Sequence, residues 1–100
     1  MDLKVNWTDE AKIQFREILN YWNRRNRSTT YSTKLLKLVD QSILRLVKFP
    51  EIGRKTTNQK IRLKIIKDYF LYYSFDNKEL TILGISDMRR NPKYLKSLLE

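Results

Sequence analysis

Lys60-Ile61-Arg62-Leu63-Lys64-Ile65, then Tyr69-Phe70-Leu71-Tyr72-Tyr73-Ser74-Phe75, then Leu80-Thr81-Ile82-Leu83-Gly84-Ile85: these three runs decide the fold. Each has the length of a strand and the β-branched and aromatic content that suits a pleated surface. The breaks between them, Lys67-Asp68 and Asp76-Asn77-Lys78, are short and polar. Two tight connections make the runs an antiparallel meander. In the first run Ile61, Leu63 and Ile65 alternate with Lys60, Arg62 and Lys64, giving one apolar and one cationic face. In the second, alternate residues are expected to enter the core. The third is apolar on both sides, which places it in the interior of the sheet.

Toward the N-terminus the period changes. Leu3, Val5 and Trp7 alternate with polar residues as in a short half-buried strand. Thr8 can cap a helix, with Asp9 and Glu10 set against the positive end of its dipole rather than paired for catalysis. Ala11, Phe15, Ile18, Leu19 and Trp22 then recur at helical spacing, and Asn23 to Arg27 is a polar break. Ser28 or Thr29 can cap a second helix, whose stripe is Tyr31, Leu35, Leu38, Val39, Ser42, Ile43 and Leu46. Phe49-Pro50 stops it, because proline disfavours helical geometry in the residue before it. Two helices joined this closely run antiparallel. Beyond the meander, Asn91-Pro92 opens a short helix carrying Tyr94, Leu95, Leu98 and Leu99. The expectation is a single α+β domain over residues 1–100. It is an N-terminal strand, a helical hairpin on a twisted, mostly antiparallel sheet (β-α-α-β-β-β) and a short C-terminal helix. Strand order beyond the two hairpins does not follow from the pattern.

The composition excludes much chemistry. The chain has neither His nor Cys, so Ser-His-Asp triads, thiol nucleophiles and His- or Cys-ligated metals are ruled out. The only glycines, Gly53 and Gly84, are too far apart for a phosphate-cradling loop. No metal or cofactor is expected. Apolar stretches fall far short of the ~18 residues of a membrane span, and the N-terminus lacks a signal peptide's apolar centre. A cytoplasmic protein is expected.

Charge is the unusual feature. Twenty-one Lys and Arg against 11 Asp and Glu leave a net charge of +10, which calls for a polyanion or an acidic protein partner. The surplus is concentrated. Lys48, Arg54, Lys55, Lys60, Arg62, Lys64 and Lys67 face only Glu51 in the stretch between Lys48 and Lys67. A second cluster, Arg89, Arg90, Lys93 and Lys96, follows the last strand and can approach the first across the sheet. Such a surface, flanked by tyrosines, suits phosphates and bases. A charged edge strand that prevents aggregation explains the same alternation. RNA cleavage without His is feasible in principle: clustered cations stabilise the phosphorane, and Lys or Tyr moves the proton. Such a weak site would need an external scaffold to position the substrate.

The order of elements and certain segments resemble the RelE/ParE superfamily of bacterial type II toxins. The segments are Trp7-Thr8-Asp9-Glu10-Ala11, Phe49-Pro50-Glu51-Ile52-Gly53-Arg54, Ile61-Arg62-Leu63, Asp68-Tyr69-Phe70-Leu71-Tyr72-Tyr73, and Ile82-Leu83-Gly84-Ile85-Ser86-Asp87-Met88-Arg89-Arg90-Asn91-Pro92. The resemblance runs over nearly the whole chain, from about Val5 to Leu98. The resemblance implies a growth-inhibiting toxin, often serving plasmid stabilisation, that an acidic antitoxin neutralises. It implies one of two activities, ribosome-dependent mRNA cleavage (RelE-like) or inhibition of DNA gyrase (ParE-like). Carried over from RelE-like members, the catalytic residues would be Arg62, Lys64, Arg89 and Tyr94. Arg54, Lys55, Lys60, Asp87, Arg90 and Lys93 would bind nucleic acid or antitoxin, with the antitoxin lying over the sheet and hairpin. Many members carry a His where this chain has Asp87, which would instead organise the neighbouring arginines. The long helical hairpin leans toward the gyrase reading. A non-catalytic basic nucleic-acid-binding module is the alternative from another class.

Overall fold

Residues 2–89 are described in the computed structural model, and within them the three β runs form the expected meander. The elements are β1 (Lys4–Trp7), α1 (Asp9–Asn26), α2 (Thr30–Lys48), a 3-10 turn (Pro50–Ile52), β2 (Arg54–Lys55), β3 (Arg62–Ile66), β4 (Tyr69–Phe75) and β5 (Glu79–Asp87). The expected C-terminal helix, with Arg90, Lys93 and Tyr94, lies outside the described residues.

The sheet order is β1-β5-β4-β3-β2, with β1 parallel to β5 and every other pair antiparallel. β5 is therefore hydrogen-bonded on both edges, in the interior position expected for its apolar run. Two features escape the sequence pattern. The hairpin carries the chain from β1 at one edge to β2 at the other, and the sheet then returns strand by strand until β5 pairs parallel to β1. The two-residue β2 adds a short charged edge beside β3, a form that discourages pairing with other chains.

Helix boundaries follow local chemistry. Thr8 Oγ1 accepts a hydrogen bond from Ala11 N at 3.1 Å, capping α1, while Asp9 and Glu10 occupy its first turn. Arg27 ends α1 in the left-handed region at φ 51°, and its N–H returns to Asn23 O. At the start of α2, the Ser28 hydroxyl accepts from Thr30 N at 3.1 Å. Thr29 occupies the cap position without a side-chain cap bond.

The hairpin covers one face of the sheet. Ala11 and Phe15 from α1 and Leu35, Val39, Ile43 and Leu46 from α2 pack on Leu71, Tyr73, Leu80, Ile82 and Ile85. Removing a side chain such as Leu46, which is fully buried, would cost about 2–5 kcal/mol. Register slips at one place: Tyr72 pairs with Gly84 but Tyr73 with Ile82, leaving Leu83 as a bulge. The bulge anchors α1. Leu83 O accepts from Thr8 Oγ1 at 3.3 Å, and Ile85 N donates to Gln14 Oε1 at 2.9 Å. A Cβ at Gly84 would stand 2.8 Å from that same Gln14 oxygen, so a larger residue would push the Gln14 amide aside and disturb its bond to Ile85 N.

One expectation about β3 needs correction. Ile66 joins the core under the helices, so Arg62 and Lys64, four and two residues before it, also lie on the helix side of the sheet. Leu63 points the other way, packing with Phe70, Tyr72 and Met88. The apolar side of this strand therefore belongs to a second, smaller cluster, and the cations flank the main core.

Candidate functional site

The segment Phe49-Pro50-Glu51-Ile52-Gly53 closes α2 and swings the chain into β2. Its backbone polar groups are satisfied from the sheet. Tyr73 Oη donates to Pro50 O at 2.7 Å and accepts from Gly53 N at 3.0 Å. Arg62 Nη1 donates to Glu51 O at 2.9 Å and Gly53 O at 3.0 Å. The Arg62 guanidinium also lies 5.9 Å from the centroid of the Phe75 ring. Arg62 is thus committed to the fold: it and Tyr73 hold the turn.

Beyond Arg62 opens a cleft of about 470 Å³ lined by Lys60, Arg62, Phe75, Asp76 and Glu79 among others. Its charge is mixed rather than cationic. Asp76 is occupied in capping the β4–β5 turn, accepting from Lys78 N at 2.8 Å and Glu79 N at 2.7 Å. Those two N–H groups hold its carboxyl below the usual range. Arg54, Lys55 and Lys60 are exposed around this edge, and Lys64 is half-buried opposite Leu71.

The second cationic cluster begins at the far end of β4. Arg62 pairs with Tyr73, whereas Asp87 pairs with Tyr69, so the two sites are separated by about 13 Å of strand. Lys67 reaches the Arg89 end; Arg62 does not. Asp87 Oδ1 accepts from Arg89 N at 2.8 Å and from Arg89 Nε at 3.3 Å. That carboxylate pushes the Arg89 pKa further up, so the guanidinium is permanently charged. The organising role read for Asp87 from the sequence describes this pair.

The sequence reading did not anticipate what surrounds Arg89. Trp22 Nε1 donates to Tyr69 Oη at 2.6 Å, and the Tyr31 ring lies 4.6 Å from that of Trp22. Arg25 sits 5.3 Å over Trp22 and Lys67 5.6 Å over Tyr31. Trp22 and Tyr31 were legible only as core stripes. Arg25 stands three residues after Trp22 on the same helix, a spacing that could have signalled their contact, whereas Lys67 comes from a strand connection that no spacing rule joins to Tyr31.

Burial raises the pKa of both Tyr69 and Tyr73 above the ordinary 10.0. A raised tyrosine pKa favours the neutral form in the folded state. Its stabilisation is complete below about pH 10 and is lost as pH rises through the folded value. Thermal midpoints should therefore hold between pH 7 and 9 and fall from about pH 10 upward. The fall should be shallower in Tyr69→Phe, measured by circular dichroism melts. An equally steep fall would show that Tyr69 does not titrate in this way.

Fold and site together define a small basic α+β domain, a helical hairpin packed on a mixed five-stranded sheet. The family model of the ParE toxin of the type II toxin-antitoxin system, parDE, matches residues 5–92, and the chain belongs to this family. Among solved structures, one titled "Chromosomal ParDE TA system from P. aeruginosa" superposes with a TM-score of 0.71 at 17% identity. The match covers 85% of this chain and 95% of that one. At that identity the likeness is one of fold. No curated protein matches the chain by sequence. Among the described residues no helix is long and apolar enough to cross a membrane.

Proposed function

We propose that this chain is the toxin of a type II toxin–antitoxin pair, acting in the cytoplasm, that inhibits DNA gyrase and is silenced by an acidic antitoxin. The observation that carries the choice of target is the commitment of Arg62. A nuclease of the RelE type would place this strand cation on the scissile phosphate, but here its guanidinium is bonded to the Glu51 and Gly53 carbonyls. Asp87, at the position of the His in many relatives, is tied to Arg89. An ionised carboxylate bound to a guanidinium is a poor general acid.

The antitoxin reading draws on a different surface. Leu44, Phe49 and Ile52 are exposed at 64%, 59% and 46%, at the end of α2 and in the turn after it. Arg45, Lys48, Arg54 and Lys55 surround them in sequence, with Glu51 the only acid. An apolar ledge with a cationic border fits an amphipathic acidic segment.

Induced expression separates the targets. Gyrase inhibition should arrest replication and accumulate cleaved DNA complexes while amino-acid incorporation continues through the first minutes. The purified chain should also inhibit supercoiling by gyrase. Immediate translation arrest with cleaved mRNA and unchanged DNA topology would replace this reading with the ribosome-dependent nuclease. Normal growth with tight nucleic-acid binding would favour the basic binding module.

A further inference from the structure

We infer that the pole formed by Trp22, Tyr31, Arg25 and Lys67 binds the phosphate backbone of duplex DNA. The surface is separate from the Arg62 cleft and from the ledge at the end of α2. It lies at the opposite end of that 19-residue helix, about 27 Å away.

Three observations carry the inference. First, the cations are held in place without carboxylates. Arg25 and Lys67 rest over the Trp22 and Tyr31 rings, while among the described residues the only ion pair is Arg89–Asp87. Arg24 and Arg27, in and just after the last turn of α1, are exposed beside them. Positive charge at a helix C-terminus offsets the dipole, which accounts for Arg24 and Arg25 but not for Lys67. Second, Lys67 occupies the left-handed region at φ 53°, in the tight β3–β4 turn where Gly or Asn would sit with less strain. The backbone there delivers a long cation to the Tyr31 ring. Third, the rings are fixed. Trp22 is bonded to Tyr69 and packed by Tyr21 and Tyr31, so the heads above it are preordered at low entropic cost.

The same geometry selects the ligand. Arg25 and Tyr31 cover Trp22, and Trp22 and Lys67 cover Tyr31, so unpaired bases would find little open ring to stack on. Tyr21, at 45% exposure, is the large apolar side chain left open at this pole, so an amphipathic helix would find little to anchor it. What the pole offers is fixed positive charge, which duplex phosphates match without regard to sequence. A toxin that meets its target on DNA would gain a second point of attachment. The inference does not depend on which target that is.

The test is fluorescence anisotropy of the full chain with a labelled short DNA duplex, between 50 and 200 mM salt. The variant R24Q/R25Q/K67Q should bind at least about tenfold more weakly at 50 mM salt, with the log–log salt slope reduced by about 2–3. The variant R45Q/K48Q/K55Q removes the same charge from the other end and should bind within about threefold of the parent. Equal losses in the two variants would overturn the proposal, as would absence of binding by the parent at 50 mM salt. Polyglutamate binding more tightly than the duplex, with the same dependence on the first variant, would mark the pole as a protein contact and also overturn it. Lysine acetylation footprinting of the unmodified chain gives a reading independent of variant folding: DNA should protect Lys67 and leave Lys48 reactive. The reverse pattern would refute the site.

Discussion

Gly53→Ala should lower the thermal midpoint by at least about 12 °C, although this backbone position is open to any residue. Gly53 has φ −69° and ψ 157°, an ordinary extended conformation, so no strain of the left-handed kind is involved. The cost is steric. An added Cβ would fall on Tyr73 Oη and approach Tyr73 Cε1 at 2.8 Å and Cζ at 2.9 Å. Tyr73 cannot yield, because it is fully buried between Arg62 of β3 and Ile82 of β5. Overpacking a rigid site costs about 1–3 kcal/mol. Displacing the hydroxyl also leaves Gly53 N and Pro50 O without their partner, at about 1–3 kcal/mol for each unsatisfied buried group. A combined loss of at least about 3 kcal/mol corresponds to the stated shift at about 4 °C or more per kcal/mol. Tyr73→Phe alone should cost at least about 2 kcal/mol, because it removes both hydrogen bonds without the clash. The double variant should lose less than the two singles added together, since deleting the oxygen relieves part of the overlap. Chemical denaturation of all four proteins measures the coupling. A Gly53→Ala midpoint close to that of the parent, or strict additivity, would mean that the tyrosine does not clamp the turn.

That clamp marks the boundary of what the residues reveal on their own. The helical stripes, the meander and the interior place of β5 are written in periodicity, because burial imposes 3.6- and 2-residue spacing wherever one face is covered. Partner choice is not. Leu3, Val5 and Trp7 announce a strand, but their three apolar positions do not specify β5 or the parallel sense. Those follow from where the hairpin deposits the chain, and from the Thr8 and Gln14 side chains that meet the Leu83 bulge. The site was less legible than the fold for the same reason. Alternating Lys60, Arg62 and Lys64 suggested a uniform cationic face. In the structure Arg62 is drawn to two main-chain carbonyls eleven and nine residues away. Lys64 stands opposite Leu71, and Lys60 lies in the preceding loop. Side-chain bonds to the backbone leave no periodic trace. Asp87 was the exception, since an acid two residues before an arginine can reach it locally.

Leu44→Asp combined with Phe49→Asp should abolish neutralisation by the antitoxin while leaving the toxin folded and active. Both side chains are more than half exposed, so the replacements open no cavity in the core. The thermal midpoint should stay within a few degrees of the parent, as surface changes usually remain within about 0.5 kcal/mol each. Binding is another matter. Each substitution removes an apolar anchor and places a negative charge inside the border of Arg45, Lys48, Arg54 and Lys55, where the partner's carboxylates would sit. Central anchors contribute about 2 kcal/mol or more each, and the added repulsion acts in the same direction. The affinity for the antitoxin should fall at least about hundredfold by titration calorimetry. Cells expressing both proteins should stop growing. The companion change Ile13→Asp, at a side chain 52% exposed on α1, places a negative charge away from the ledge and should leave rescue intact. If the ledge variant were still neutralised, or if Ile13→Asp were equally damaging, the antitoxin would have to engage a different face. The distinction matters for the toxin's logic. A partner seated on the ledge covers the turn that Arg62 and Tyr73 hold, and leaves the Trp22 pole open to DNA. The complex would then keep a DNA-binding surface even when silenced, and the duplex titration repeated on the neutralised pair should give the parent's affinity after allowance for the antitoxin's own contribution.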